Sequence, residues 1–127
     1  MEETYCDFRT MKSWLASITA QEIIFPLLPG IRGPGAKDMI DQIARSLDSI
    51  HANIAEGYGK GICADNIRFQ KIAMSSCCEA ETRLEALERS GRLKHPDLRR
   101  GIDQLRLTRT LIRGYIGWIQ QRIDTKP

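Results

Sequence analysis

Ile40, Ile43, Leu47, Ile50 and Ile54 recur at spacings of 3, 4, 3 and 4. That spacing places five large aliphatic side chains on one stripe of an α-helix, whereas a strand would scatter them over both faces. The stripe closes in the run Asn53-Ile54-Ala55-Glu56-Gly57-Tyr58-Gly59-Lys60, the most distinctive local word of the chain. Gly57 is expected to supply the left-handed backbone position that ends helices at little cost, with Gly59 and Gly61 continuing the break. A long helix with one apolar stripe must find other helices to cover it.

Three further helical segments are legible. A first helix is expected over about residues 10–25, with Met11, Trp14, Leu15, Ile18 and Phe25 on its apolar face and Pro26 as its stop. Residues 26–35 hold Pro26, Pro29, Pro34, Gly30, Gly33 and Gly35, and are expected to be irregular. The second helix covers about 36–56. The third, about 64–90, starts at Asp65 as N-cap and stops at Gly91, with Phe69, Ile72, Ala73, Ser76, Ala80, Leu84 and Leu87 facing inward. The fourth, about 96–123, opens with Pro96 and carries Leu98, Ile102, Leu105, Ile112, Ile116, Ile119 and Ile123, a repeat interrupted at Arg109. No strand signal, repeat or low-complexity tract competes. The expected fold is all-α, an antiparallel up-down-up-down four-helix bundle forming a single domain over 1–127.

Length and composition agree. A chain of 127 residues is one domain, large enough to bury roughly two thirds of its unfolded surface. Hydrophobic residues make up 42% and charged residues 28%, which excludes a disordered chain. No apolar run reaches the roughly 20 residues a membrane span needs. The acidic start Met1-Glu2-Glu3-Thr4 is unlike a secretory leader. The cysteines are Cys6, Cys63, Cys77 and Cys78; none forms a C-x-x-C pair, so no zinc site is expected. Cys77 and Cys78 point about 100° apart on one helix, too far for an easy bridge. They read as small packing residues of a cytoplasmic protein, with no metal, cofactor or membrane partner.

Catalytic groupings are missing from the pattern. His51 flanks the second helix's stripe and His95 precedes Pro96; neither has the neighbours of a nucleophile–base pair. Glu79 with Glu81, and Glu85 with Glu88, read as solvated helix surface. The Glu-x-x-His element of di-iron bundles does not occur. The glycines at 57–61 and 30–35 lack the spacing and strand context of a phosphate loop. An enzyme is therefore not expected.

The fourth helix is more informative. Leu107, Leu111, Tyr115 and Trp118 form a second apolar group opposite the core stripe. A small bundle cannot bury both sides of one helix. The second side therefore calls for another copy of the chain, unless Tyr115 and Trp118 pack beneath the N-terminal segment. Arg99, Arg106 and Arg113 recur every seven residues on one flank, and Gln120 extends the line. Net charge is +3, and residues 86–127 hold ten Lys or Arg against four Asp or Glu. Arginine's planar fork matches phosphate oxygens, and a ring of subunits would multiply the band into a surface for RNA or DNA. Ordinary solvated arginines or intersubunit ion pairs are the competing reading. Aromatic content is 6%, and Tyr58 alone is expected on a loop, which argues against sequence-specific reading of single strands. Arg109, in phase with the core, is expected to be buried against Glu56 or Glu79.

These residues carry a family resemblance. The run from Ala44-Arg45-Ser46 through Ala52-Asn53-Ile54-Ala55-Glu56-Gly57-Tyr58-Gly59-Lys60 resembles the hallmark of the 23S rRNA intervening-sequence proteins, small bacterial four-helix bundles. Arg68-Phe69 and Ala73-Met74-Ser75-Ser76-Cys77-Cys78-Glu79-Ala80-Glu81 resemble its second block, with Ser75-Ser76 where Gly-Ser is usual and Lys60 where arginine is usual. The resemblance spans about residues 8–122, and Asn53, Glu56 and Gly57 belong to its most specific word. It implies a homo-oligomer, typically a pentamer. A related group, the accessory variability determinants of diversity-generating retroelements, binds a reverse transcriptase and its nucleic acid. Taken with the line of Arg99, Arg106 and Arg113, the expected function is a non-catalytic homo-oligomer that associates with structured RNA through phosphate contacts; the alternative, from the related group, is an accessory subunit of such a reverse transcriptase.

Overall fold

The computed structural model describes residues 7–125, so Met1–Thr4 and Cys6 lie outside the described residues. A 3-10 turn, Phe8–Thr10, leads into α1 (Lys12–Ile24). The chain then passes through α2 (Ala36–Tyr58), α3 (Ala64–Arg89) and α4 (Leu98–Asp124). No strand occurs among the described residues. None of their helices is long and apolar enough to cross a membrane.

Cross-helix contacts set the topology. Gln70 Nε2 donates to the Ile54 carbonyl at 3.1 Å, and Ser76 Oγ donates to Ser49 Oγ at 2.8 Å, so α3 climbs as α2 descends. Asn66 Nδ2 meets the Tyr115 hydroxyl at 3.1 Å, while Cys77 Sγ meets the Leu105 carbonyl at 3.6 Å, which sets α3 against α4. Gln104 Nε2 reaches the Ala16 carbonyl at 3.3 Å, and Gly101 lies against Ile23 and Ile24, which closes α4 onto α1. The result is the expected up-down-up-down four-helix bundle.

Ile43, Leu47, Ile50 and Ile54 of α2 are buried with Leu84 and Leu87 of α3 and Leu98, Ile102, Leu105 and Ile112 of α4. Between them Ala20, Ala73, Cys77 and Ala80 keep the contact faces small, which brings the helix axes close.

Several expectations are corrected. Residues 25–30 are not irregular: Phe25–Gly30 forms a 3-10 segment with Pro26 in its first turn and Pro29 inside it. Proline is tolerated in a first turn, and the segment buries Leu27 and Leu28 in the core. The buried side of α1 is Ser13, Ala16, Ser17, Ala20 and Ile24, and Leu15 faces outward. In α3 the inward face begins with Asn66, Ile67 and Gln70, leaving Ile72 exposed and Phe69 half-buried. Cys63, not Asp65, is the N-cap; Asp65 sits in the first turn and binds Arg68 at 2.8 Å. In α4 the core gap falls to Thr108, whose hydroxyl donates to the Gln104 carbonyl at 2.9 Å.

Gly57 does not end α2. It lies within the helix with ordinary backbone angles, and the left-handed residue of the turn is Gly61, at φ +85°.

At the end of the bundle where α3 turns into α4, Arg92 clasps the connection that precedes α2. Its carbonyl accepts from the Arg32 amide at 2.8 Å, its Nε donates to the Arg32 carbonyl at 2.8 Å, and Nη2 donates to the Pro34 carbonyl at 2.6 Å.

Candidate nucleic-acid interface

The outer side of α4 carries two strips of different chemistry. On the first, Leu107 is 47% exposed and Trp118 43%, and Leu111 and Tyr115 are half-buried. Gly114 and Gly117 lie on the same outer side, and a Cβ added at either would meet nothing within 4 Å. A glycine inside a helix costs about 0.5–1 kcal/mol relative to alanine. Elsewhere in the bundle that cost has a visible return: at Gly101 an added Cβ would stand 2.8 Å from Ile24. Gly114 and Gly117 have no such return within the described chain.

The second strip holds the three arginines. Arg99 is bound by Glu85 at 2.6 Å and by Glu88, with Asp103 at 4.0 Å. The hydrogen bonds it donates to Glu85 and Glu88 hold the Arg99 guanidinium well above its ordinary pKa. The Arg99 bond in turn holds the Glu85 carboxyl below its ordinary range. Arg106 and Arg113, one and two heptads on, are exposed. All three arginines are thus at the surface, and the first is committed to carboxylates of α3.

Arg109 is tied to a carboxylate, but the partner is Glu81 rather than Glu56 or Glu79. Its Nε and Nη2 donate to the two Glu81 oxygens at 2.8 and 3.2 Å, a bidentate pair in which the side chains are 24% and 12% exposed. The Glu81 bond raises the Arg109 pKa. Glu56 is exposed and faces Lys60 at 3.7 Å, and Glu79 pairs with Arg83 at 3.3 Å.

The other residues of the Asn53–Lys60 run explain themselves by packing. Asn53 Nδ2 donates to the Ser49 carbonyl at 2.8 Å and to its hydroxyl at 3.1 Å, and that hydroxyl also receives Ser76. Gly57 is buried where α2 meets Asn66 and Gln70. Gln70 Nε2 bonds Asn66 Oδ1 at 2.9 Å, and Asn66 Nδ2 bonds the Gly61 carbonyl at 2.8 Å as well as the Tyr115 hydroxyl. The run thus anchors a chain of amide side chains that ends on α4.

Gly61 and Tyr115, the two residues that Asn66 reaches, also line a cavity of about 840 Å³ at the same end of the bundle. Phe8 of the N-terminal turn, Tyr58 at the end of α2, Ile62 of the following turn, and Tyr115 and Trp118 of α4 line it. Tyr115 and Trp118 are near-parallel, with centroids 6.0 Å apart and planes at 22°. Phe8 meets Trp14 edge-on at 5.3 Å. Arg122 lies 3.7 Å from the Trp118 ring centroid and donates to the Trp118 carbonyl at 3.2 Å. Burial pushes the Tyr115 phenol up, opposed by its bond from Asn66. The sequence conceals this cavity because its rings come from positions 8, 58, 115 and 118; the Tyr115–Trp118 spacing is its one local sign. Tyr58, expected on a loop, belongs to the last turn of α2.

His51 Nε2 faces Asp48 at 3.6 Å, one turn back on its own helix. His95 Nδ1 accepts the Asp97 amide at 3.0 Å and so helps to open α4. Among the described residues no His, Cys, Asp and Glu side chains gather as a metal site would require.

The family model for the 23S rRNA-intervening sequence protein matches residues 9–114. No curated protein matches the chain.

Proposed function

The chain belongs to the 23S rRNA-intervening sequence protein family, and from that premise we propose that it is a non-catalytic, cytoplasmic, homo-oligomeric bundle that holds structured RNA by its phosphates. The outer side of α4 carries this reading. Gly114 and Gly117 stand bare beside the exposed Leu107 and Trp118. Bare helix glycines next to exposed apolar side chains fit close approach by a second helix, and a second copy of this chain supplies one of the same shape. Leu107 and Leu111 form the centre of that contact. Arg106 and Arg113 border it on one flank, so assembly repeats them around the oligomer as a band of forked donors. Arg99 contributes by holding α4 to Glu85 and Glu88 beneath the band.

Light scattering together with a titration of a folded RNA hairpin at several salt concentrations tests this. A mass of several chains is expected, with Leu107→Glu reducing it. RNA affinity should fall steeply with salt, and replacing Arg106 and Arg113 with glutamine should flatten the slope by roughly 0.7–0.9 for each phosphate the variant no longer neutralises. A monomer at every concentration would remove the assembly. Affinity indifferent to salt, or no binding in low salt, would remove the phosphate band.

A further inference from the structure

We infer that the polar cleft between α2 and α3 holds a ribose-phosphate unit of an RNA strand, with the phosphate on Arg45 and the serine hydroxyls beside it and the adjoining 2′-hydroxyl on Glu79. This rests on the proposed RNA association and adds to it a preference for RNA over DNA, on a face separate from the outer side of α4.

The cleft is shallow, with a volume of about 300 Å³, and is lined by Gln42, Arg45, Ser46 and Ser49 of α2 and by Ser76 and Glu79 of α3. No residue of α4 lines it, so it stands apart from the contact proposed between copies. Its donors outrun its acceptors. Ser46 is 5% exposed, and its hydroxyl has no hydrogen-bond partner among the described residues. Ser76 is 8% exposed and gives its hydrogen to Ser49 Oγ at 2.8 Å. That oxygen also receives Asn53 Nδ2 at 3.1 Å, and the Ser49 hydrogen is left with no acceptor among the described residues. Arg45 is exposed, and its guanidinium forms neither an ion pair nor a hydrogen bond among the described residues. A largely buried hydroxyl without a partner is uncommon in folded proteins and calls for an explanation. Unused hydroxyl hydrogens and an unpaired guanidinium in one cleft match an anionic oxygen group, and arginine's planar fork fits phosphate in particular.

Glu79 decides which phosphate. Its Oε2 accepts from Arg83 Nη2 at 3.3 Å, while its Oε1 has no partner among the described residues. A carboxylate at the rim repels a second negative charge, which favours a singly charged phosphodiester over the dianion of free phosphate. Its unused oxygen is placed to accept a hydroxyl hydrogen. A diester with a hydroxyl on the adjoining sugar is the repeating unit of RNA, and the 2′-hydroxyl is the group that DNA lacks.

Anisotropy titrations with a folded RNA hairpin and a DNA hairpin of the same sequence test this. Wild type should bind the RNA more tightly. Arg45→Gln should weaken both about fivefold or more and flatten the salt slope by roughly 0.7–0.9. Ser46→Ala removes a hydroxyl that bonds nothing in the free protein, so it should leave the thermal midpoint unchanged or raised while weakening binding about fivefold or more. Glu79→Ala should lower the ratio of RNA to DNA affinity about threefold or more, because only RNA loses a contact. Wild-type affinity in both Arg45→Gln and Ser46→Ala, or an unchanged ratio in Glu79→Ala, overturns the proposal. So does a thermal midpoint raised by inorganic phosphate in wild type but not in Ser46→Ala, with hairpin binding untouched by either variant, which would make free phosphate the ligand. If replacing Arg106 and Arg113 flattens the salt slope while the cleft variants bind as wild type, the cleft proposal fails and the α4 band stands. The opposite pattern keeps the cleft and removes the band. If neither hairpin binds, both fail.

Discussion

Gly57 and Gln70 meet so closely across the α2–α3 contact that a Cβ on Gly57 would stand 2.6 Å from the Gln70 amide nitrogen. Asn66 crowds the same point, with its Oδ1 at 2.7 Å and its carbonyl at 3.0 Å. Both amides are buried and bonded, so neither gives way cheaply. Gly57→Ala should destabilise the protein by about 1–3 kcal/mol in urea unfolding. Gly59→Ala is the control: its added Cβ would find only helix carbonyls at 3.5 and 3.7 Å, so it should leave stability unchanged or raise it by up to about 1 kcal/mol.

The Arg109–Glu81 pair makes an asymmetric prediction. Removing the carboxylate by Glu81→Ala leaves a largely covered guanidinium without its bidentate partner, and should cost about 1.5–3 kcal/mol. Arg109→Leu removes the charge and fills the space with apolar volume, so it should retain the fold at a smaller loss. Thermal unfolding of the two variants and of the double variant distinguishes them, and equal losses in both single variants would contradict the asymmetry.

Glu85 predicts a pH dependence. Its folded-state pKa is depressed, first by the hydrogen bond from Arg99. A depressed carboxyl contributes stability that is complete above its unfolded pKa and is lost as pH falls through the folded one. The stability gap between wild type and Arg99→Gln should therefore be constant near neutral pH and close on acidification below the ordinary carboxylate range. Denaturant midpoints measured from about pH 7 down to pH 2 read this directly. A gap that widened in acid would refute the assignment.

The cysteines should separate by reactivity. Cys77 is buried between α3 and α4, and burial pushes its thiol up to about 12. Cys78, the next residue, is exposed. Alkylation of the native protein followed by mass analysis should label Cys78 promptly and Cys77 only after unfolding, because the thiolate is the reactive form. Prompt labelling of Cys77 would show that α3 and α4 open far more readily than their packing implies.

The isoleucine stripe of α2 is readable because its period is regular and its residues are large. Gly57 misleads because a glycine near a helix end has the same letter whether it turns the chain or admits a neighbour; only the positions of Asn66 and Gln70 decide. Arg109 falls in phase with the core by spacing alone, but at about 100° per residue positions 108 and 109 flank the line through Leu105 and Ile112 equally, and it is the smaller Thr108 that is buried there. The face of α1 misleads for another reason: its buried residues are serines and alanines, so the large side chains do not mark the inside. The outer strip of α4 is legible as apolar, yet Tyr115 and Trp118 border a cavity that no local pattern announces.

The Arg92 clasp bears on how copies can meet. Exchange of α1 between copies would require the stretch between α1 and α2 to leave its own chain. Three bonds fasten that stretch to the α3–α4 turn of its own chain. In the proposed assembly each chain would thus close on itself before meeting another, and loosening Arg92 would be a way to turn a dissociable contact into an interlocked one.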